Sequence, residues 1–410
     1  MSSSPDAPQA PANLNFVLVA VFIDMLGIGL IIPVMPPLVG QFVSGRDEQA
    51  FWFGVLSTVF GLMQFLFMPM LGAISDRVGR RPVMLYSMAG MCLNFLSTAW
   101  APNLAFMFIG RVIGGMSSAS MSVASAYASD VSTPKTRAKS FGKVGAAFGL
   151  GFICGPALGG LLGDINLHLP FYVAAGLCAA NFVYGYIAVP ESLPLARRSA
   201  LSLAKINPFS SLLRLIRRTE VRTVVIVYAL TAFAQMMLQT TWVLYTTFRF
   251  DWSPGDNGVA LFCVGLSSAV VQAVLLGMLM KRLGEVRLAL LGMASGTITY
   301  VLFGLATEGW MMYVFILCNL LSYTTVPALQ SIISRDSDAS AQGELMGSLH
   351  SISALGVIFM PLLGSAVLGM ASHLPPHDWR IGSTFFLCAA MQGVAIGVAL
   401  FYFKAHRMRT

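Results

Sequence analysis

The stretch Gly142-Lys-Val-Gly-Ala-Ala-Phe-Gly-Leu-Gly151-Phe-Ile-Cys-Gly155-Pro156-Ala-Leu-Gly159-Gly160 returns later in the chain as Gly347, Gly356, Pro361 and Gly364, at a constant offset of 205 residues. The same offset relates Gly72, Arg77 and Gly79 to Gly277, Arg282 and Gly284, and His168-Leu-Pro170 to His373-Leu-Pro375. A register kept over three separate regions reads as an internal duplication. Glycines at these intervals line one face of a helix and let a second helix pack closely against it, the usual means of helix association in a bilayer.

The sequence around this stretch is of the same kind. The 410 residues are 56% apolar and 10% charged, with a mean hydropathy of +0.75, whereas an average soluble domain carries about 25% charge. Apolar runs fall at about 14–38, 51–74, 82–101, 104–127, 141–163 and 169–190, and again at about 221–246, 257–280, 286–306, 309–331, 345–370 and 381–404. Each is near the roughly 20 residues that a helix needs to cross a bilayer. The expectation is an all-α polytopic membrane protein with twelve transmembrane helices in two six-helix bundles, 14–190 and 221–404. A tail at 1–13, a linker at 191–220 and a tail at 405–410 complete the chain, with no room for a sizeable soluble domain.

Orientation follows from the basic residues, because Lys and Arg accumulate in cytoplasmic connections. Twenty-one of the 25 lie in the even-numbered connections and the C-terminal tail. Arg46, Arg249 and Arg380 alone occupy the odd-numbered ones, and Arg111 lies inside a run. Both termini are therefore expected in the cytoplasm. Residues 1–13 contain no Lys or Arg, unlike the basic start of a signal peptide, so the first run is expected to be retained as a helix. The net charge of +8 reflects this topology and implies no nucleic-acid partner. All six cysteines sit in apolar runs without CxxC spacing or a nearby histidine cluster, and read as small core residues, not disulfides or metal ligands.

The loop after the second run reads Gly72-Ala-Ile-Ser-Asp76-Arg77-Val-Gly79-Arg80-Arg81-Pro82. Parallel six-helix repeats with such a loop resemble the major facilitator superfamily, whose binding site lies at the repeat interface near mid-membrane. The fifth-run set of Gly142, Gly151, Gly155, Pro156, Gly159 and Gly160 matches the motif of its drug/proton antiporters. The chain is similar over nearly its whole length to the tetracycline-resistance type. The matching stretches are Asp24-Met-Leu-Gly-Ile-Gly-Leu-Ile-Ile-Pro33-Val-Met-Pro36, Leu62-Met-Gln64, Ala147-Phe-Gly-Leu-Gly151, Trp242-Val-Leu-Tyr245, Arg249-Phe-Asp-Trp252, Glu308-Gly-Trp310 and Pro327-Ala-Leu-Gln330.

This resemblance implies proton-coupled export of a drug-like small molecule by alternating access, across a bacterial inner membrane, by a chain able to work as a monomer. It also implies that Gly72, Asp76, Arg77, Gly79, Arg80 and Arg81 latch the two halves in the outward-facing state. The second copy of the loop has Lys281 in place of Asp76, so its latch is expected to be weaker or absent. Members that expel a tetracycline–cation chelate carry acids in the third and ninth helices and a histidine in the eighth; here Asn94, Gly296 and Ser268 stand there. A chelated divalent cation needs hard anionic oxygen ligands, which makes the chelate a poor fit. A physiological metabolite such as a siderophore or an organic acid remains an alternative substrate, and a non-transporting receptor or scaffold the remote one.

Among the 17 acids, Asp24 alone falls deep within a run. It lies about ten residues in, roughly 15 Å at 1.5 Å per residue, near the middle of a core about 30 Å thick. Placing a charge there costs on the order of 2.5–3.5 kcal/mol, so it reads as a functional group. It carries a proton, pairs with a cationic substrate, or partners a buried arginine. Arg111, in the fourth run at similar depth, is the candidate partner. Removal from water favours the protonated acid and a nearby guanidinium the carboxylate, so changing their separation would switch proton affinity. His350 either relays a proton or bonds a backbone carbonyl. Gln64, Asn94, Gln235, Gln239, Trp242, Gln272, Tyr323 and Gln330 line the cavity or serve as polar contacts between helices. Runs 1, 4, 7 and 11 carry breaks or polar positions, including Pro33, Pro36 and Pro361, suited to bending. There is no nucleophile with a positioned base, no phosphate-cradling loop and no metal-ligand spacing, so neither enzyme activity, bound metal nor cofactor is expected, and the proton gradient supplies the driving force. A fluorescent protein fused after Thr410 is expected to fold and fluoresce inside the cell, while alkaline phosphatase fused there stays inactive; the opposite pattern inverts the topology.

Overall fold

The computed structural model describes residues 14–133, 135–199, 222–334 and 339–407, without side chains at 138, 339–347 and 405–407. The 1–13 tail, most of the 191–220 linker and the end of the C-terminal tail lie outside the described residues. Those described form helices and no strand, as a lipid-facing chain must when water is absent to satisfy its backbone. In chain order the helices are α1 (Leu14–Ile31), α2 (Met35–Gly40), α3 (Arg46–Val78), α4 (Arg80–Ala99), α5 (Leu104–Ser117), α6 (Ser120–Asp130), α7 (Arg137–Ile165) and α8 (Leu169–Ala188). There follow α9 (Arg222–Phe250), α10 (Pro254–Val270), α11 (Leu276–Leu283), α12 (Glu285–Leu305), α13 (Gly309–Cys318), α14 (Thr325–Ser334), α15 (Ala339–Ala371) and α16 (Ser383–Arg407).

Among the described residues, ten helical segments are long and apolar enough to cross a membrane, including Leu104–Asp130 and Pro254–Leu283, each built from two helices. The pair α13 and α14, bent by 49°, makes an eleventh if taken as one span. The remaining expected run, 82–101, is the 20-residue α4. Arg80, Arg81, Ser87, Asn94, Ser97 and Thr98 make it more polar than the others, and it packs within the bundle against α5 and α8.

Helices α1–α8 pack chiefly on one another, as do α9–α16, and the two groups meet along two seams, α3 with α15 and α7 with α10. One end of the bundle carries the Arg- and Lys-rich turns 77–81, 135–143 and 281–287. The seams close at the opposite end. Thr58 Oγ1 donates to Ile358 O across 2.9 Å, Gly61 lies against Val357, and Gly160 lies against Pro254 and Gly258. At the basic end, β-carbons added at Gly142, Gly145, Gly149 and Gly277 would meet nothing within 4 Å among the described residues. The halves are splayed at the basic end and sealed at the other.

The glycine motif of α7 makes two contacts. A β-carbon at Gly155 would lie 2.6 Å from Gly29 Cα, and one at Gly151 would lie 2.6 Å from Phe22 O, so α7 meets α1 backbone to backbone. One at Gly160 would lie 2.5 Å from Pro254 O, across the seam to α10. The repeat is visible in the backbone too: Gly79 and its counterpart Gly284 both turn between consecutive helices at positive φ, +113° and +77°.

The bends fall partly where the sequence suggested. Run 1 breaks after Ile31, and run 4 breaks at Ser118, between α5 and α6. Ser118 corresponds to Tyr323, which lies in the 3-10 turn Leu320–Thr324 between α13 and α14. Runs 7 and 11 are continuous instead, with Pro361 inside α15, its freed Val357 carbonyl facing Gly61. A π-helical turn at Val271–Leu275 interrupts run 8, between α10 and α11. Gly155→Val is expected to cost about 1–3 kcal/mol by overpacking and to lower the thermal midpoint of the purified protein, whereas Gly142→Val, in open space, leaves it unchanged; equal effects at the two sites contradict this packing.

Candidate functional site

Asp24 is 4% exposed, and no other Asp or Glu among the described residues is buried. Asn181 Nδ2, from α8, donates to its Oδ1 across 2.7 Å and to Ala20 O across 2.9 Å. The Ser120 side chain, at the start of α6, gives a further hydrogen bond. Gly151 of α7 lies against Phe22, Met25 and Leu26, the turn of α1 that carries Asp24. The carboxylate is thus held by neutral donors at a point where α1, α6, α7 and α8 converge.

Arg111 is 7% exposed and lies on α5, on the other side of the Ser118 break from Ser120. Its guanidinium carbon stands 5.7 Å from the centre of the Phe60 ring, and its Nε and Nη2 have no hydrogen-bond partner. In this conformation it does not pair with Asp24, whose donors are Asn181 and Ser120. Gln64 Nε2 reaches Ser118 Oγ at 2.8 Å, bracing the break itself. Asn94 is fully buried against Gly110 and Gly114, with both side-chain polar atoms unpartnered.

The second-half candidates are more dispersed. Gln239 and Gln272 are exposed and Gln235, Tyr323 and Gln330 half-buried. Gln272, in the π turn, donates to Ser268 across 2.8 Å. Trp242 is buried in an aromatic cluster with Trp252, Phe303 and Phe385, its Nε1 unpartnered; it is a core residue here, not part of an open wall. His350 is exposed on α15, away from the sealed seam. Among the described residues no group of three His, Cys, Asp or Glu side chains comes together.

The loop carrying Gly72, Asp76, Arg77, Gly79, Arg80 and Arg81 forms a charge network within the first half. Arg80 pairs with Asp76 at 2.6 Å and with Asp130 at 3.0 Å. Glu191 accepts the backbone N–H groups of Arg80 at 2.8 Å and Arg81 at 3.2 Å, capping the positive end of α4. Arg81 Nη2 donates to Tyr186 O. Residues 191–199, the start of the linker, therefore lie on this loop. At the sealed end, hydrogen bonds from Arg380 hold Asp378 well below the usual carboxylate range, at about 2, so it stays ionised at physiological pH.

Comparison with known proteins fits this architecture. The Major Facilitator Superfamily model matches residues 17–361 and 225–409. The chain belongs to the major facilitator superfamily. It is 37% identical over 91% of its length, and 94% of the other's, to the class C tetracycline resistance protein of Escherichia coli. Two solved structures share the fold. The human organic anion transporter MFSD10 covers 96% of this chain and 100% of its own at 24% identity and a TM-score of 0.69. The nucleoside transporter NupG covers 95% of this chain and 99% of its own at 12% identity and a TM-score of 0.77. The protein is thus a multi-pass membrane transporter with relatives that are transporters, not enzymes.

Within this superfamily fold, two residues absent from the sequence reading complete the site. Asn181 was visible only as a lone amide in an apolar run, and Glu191 only as an acid after a helix end; each gains its role from a partner far along the chain. Asn181→Leu is expected to destabilise the protein by about 1–3 kcal/mol by stripping a buried carboxylate of its donor. Asp24→Leu in the same chain should recover part of that loss. Thermal unfolding of the single and double variants checks this, and strictly additive losses contradict it.

Proposed function

We propose that the protein is a proton-coupled exporter of a drug-like, partly apolar small molecule, working by alternating access across a bacterial inner membrane with twelve crossings and both termini in the cytoplasm. On that topology the basic end is cytoplasmic, and the conformation is inward-open, with its outer seams shut. The observation that carries the reading is Asp24, the one buried carboxylate among the described residues. It sits on the turn of α1 against which the antiporter-type glycines of α7 pack.

In the proposed cycle Asp24 takes up a proton while the protein is open to the outside and releases it toward the cytoplasm when substrate binds or the helices rearrange. Arg111 sets when that happens. The break at Ser118 separates it from the Ser120 contact of Asp24, so a change of bend at α5–α6 alters the distance between guanidinium and carboxylate. A closer guanidinium favours the charged acid and drives the proton off. Each passage of the single carboxylate couples one proton to one substrate. His350, exposed on the cytoplasmic side, is the proposed relay to water.

The tetracycline-resistance relatives favour a drug-like substrate. Asn94 and Gly296 lack carboxylates and Ser268 is engaged by Gln272, which disfavours a cation chelate; the exposed Gln239 and Gln272 suit a neutral or weakly polar molecule instead. A second reading, a carrier of a physiological organic acid, is favoured by the buried Arg111 nitrogens that lack partners. The test is proton flux in proteoliposomes under an imposed pH gradient, with cationic, neutral and anionic compounds. A drug-like compound is expected to trigger proton efflux that falls to background in Asp24→Asn. Flux only with small carboxylates selects the second reading, and flux that survives in the variant removes Asp24 from the coupling.

A further inference from the structure

The motif residues account for close packing at the sealed end, but not for its charges. Asp164, the penultimate residue of α7, reaches across the seam, and its Oδ1 accepts the Gly255 N–H of α10 at 2.9 Å. Arg46, the first residue of α3, donates from Nη1 to Phe248 O at 3.2 Å and stacks its guanidinium 5.5 Å from the Phe248 ring centre. Both contacts run from the first half to the second. Both end on one corner, where α9 finishes at Phe250 and α10 begins at Pro254.

The chemistry of that corner explains the choice of residues. The last carbonyls of α9 lack intrahelical partners and carry partial negative charge, while the first N–H groups of α10 carry partial positive charge. Arg46 meets the first and Asp164 the second. Within the opening turn of α10, Ser253 and Asp256 satisfy one another in a capping box and Pro254 has no N–H to offer. Gly255 N–H is the remaining donor of those four residues, and the other half of the molecule takes it. At 205 residues from Asp164 stands Gly369, which lies against Ala50 and the backbone of Asp47. The α3–α15 seam thus has no carboxylate at the corresponding position, and the arrangement occurs once in the pseudo-symmetric pair.

We propose that Asp164 and Arg46 form a two-point electrostatic clasp on the α9–α10 corner that holds the outer seam shut and sets the balance between inward-open and outward-open states. This inference rests on the inward-open reading and its topology, and is independent of the substrate and of Asp24. Both side chains are exposed, so on release each charge and each helix end returns to water. The bias is therefore modest and reversible, as an alternating carrier requires; a buried ion pair here would lock the gate. Asp164 and Arg46 are positioning residues, touching neither substrate nor proton.

The test is a distance measurement by electron spin resonance between labels at Gln41 and Glu308, exposed outer positions on the two halves, in a cysteine-free version of the full chain in lipid nanodiscs without substrate. Asp164→Ala is expected to raise the ratio of outward-open to inward-open molecules by about tenfold, the scale of one charge-assisted hydrogen bond. Asp164→Asn, which keeps an acceptor for Gly255 N–H and removes only the charge, should give about threefold, and Arg46→Gln a similar shift. High salt should raise the ratio in the wild-type sequence and have less effect in Asp164→Asn, because exposed charges are screened. An unchanged ratio in both Asp164 variants overturns the clasp. So does an Asp164→Asn variant indistinguishable from wild type at all salt concentrations, which would leave a plain hydrogen bond. The readout needs no transport, so a failed drug screen and a failed clasp remain distinguishable.

Discussion

The constraint on which the rest depends is the backbone-level approach of α7 to α1 and α10. Lipid is as apolar as the helix faces, so no hydrophobic force pushes helices together in a bilayer, and dispersion between close backbones must do so. Gly151 and Gly155 supply that approach to α1, and Gly160 supplies it to α10. Two faces of one helix therefore hold the first bundle together and close one of the two outer seams. The same approach fixes the turn of α1 that carries Asp24, which links the packing motif to the group proposed to carry the proton.

Asp24 and Arg111, two buried charges at mid-depth in the first bundle, are treated differently. Asp24 has two side-chain donors, Asn181 and Ser120, both neutral and able to serve a carboxylate or a protonated acid. Arg111 has the Phe60 ring and two nitrogens without partners. Leaving such groups unpaired in an apolar interior is costly. A carrier has reason to accept that cost in one state of its cycle, because a guanidinium awaiting a partner gives either a moving carboxylate or an entering anion something to gain. The hinge at Ser118, braced by Gln64, lies between the two charges and is the natural place for the change. Its pseudo-symmetric counterpart, the 3-10 turn around Tyr323, places a second break at the equivalent position of the other half.

Much of this was legible in the sequence because membrane proteins write their architecture in composition. The apolar runs located the helices, the constant offset revealed the duplication, and the depth of Asp24 singled it out. Other features were not legible, for physical reasons. The donors to Asp24 come from α6 and α8, and a lone Asn or Ser in an apolar helix carries no mark of where it points. Arg111 was expected to pair with Asp24 because both lie at one depth, but depth leaves the azimuth of a side chain open. Trp242 has the composition of a ligand-binding aromatic, yet its neighbours make it core. Proline marks possible bends without fixing them: α15 runs through Pro361, while run 8, which has no proline past the start of α10, contains the π turn.

The central claim is that substrate binding drives a proton off one buried carboxylate in a chain that opens to one side at a time. Its most direct test is proton release on substrate binding to the purified protein, followed with a pH indicator in weakly buffered solution, using whichever compound binds. The account predicts release of about one proton per substrate bound when the carboxylate starts protonated, diminishing as rising pH empties it beforehand. Binding that releases no proton at any pH would contradict the account.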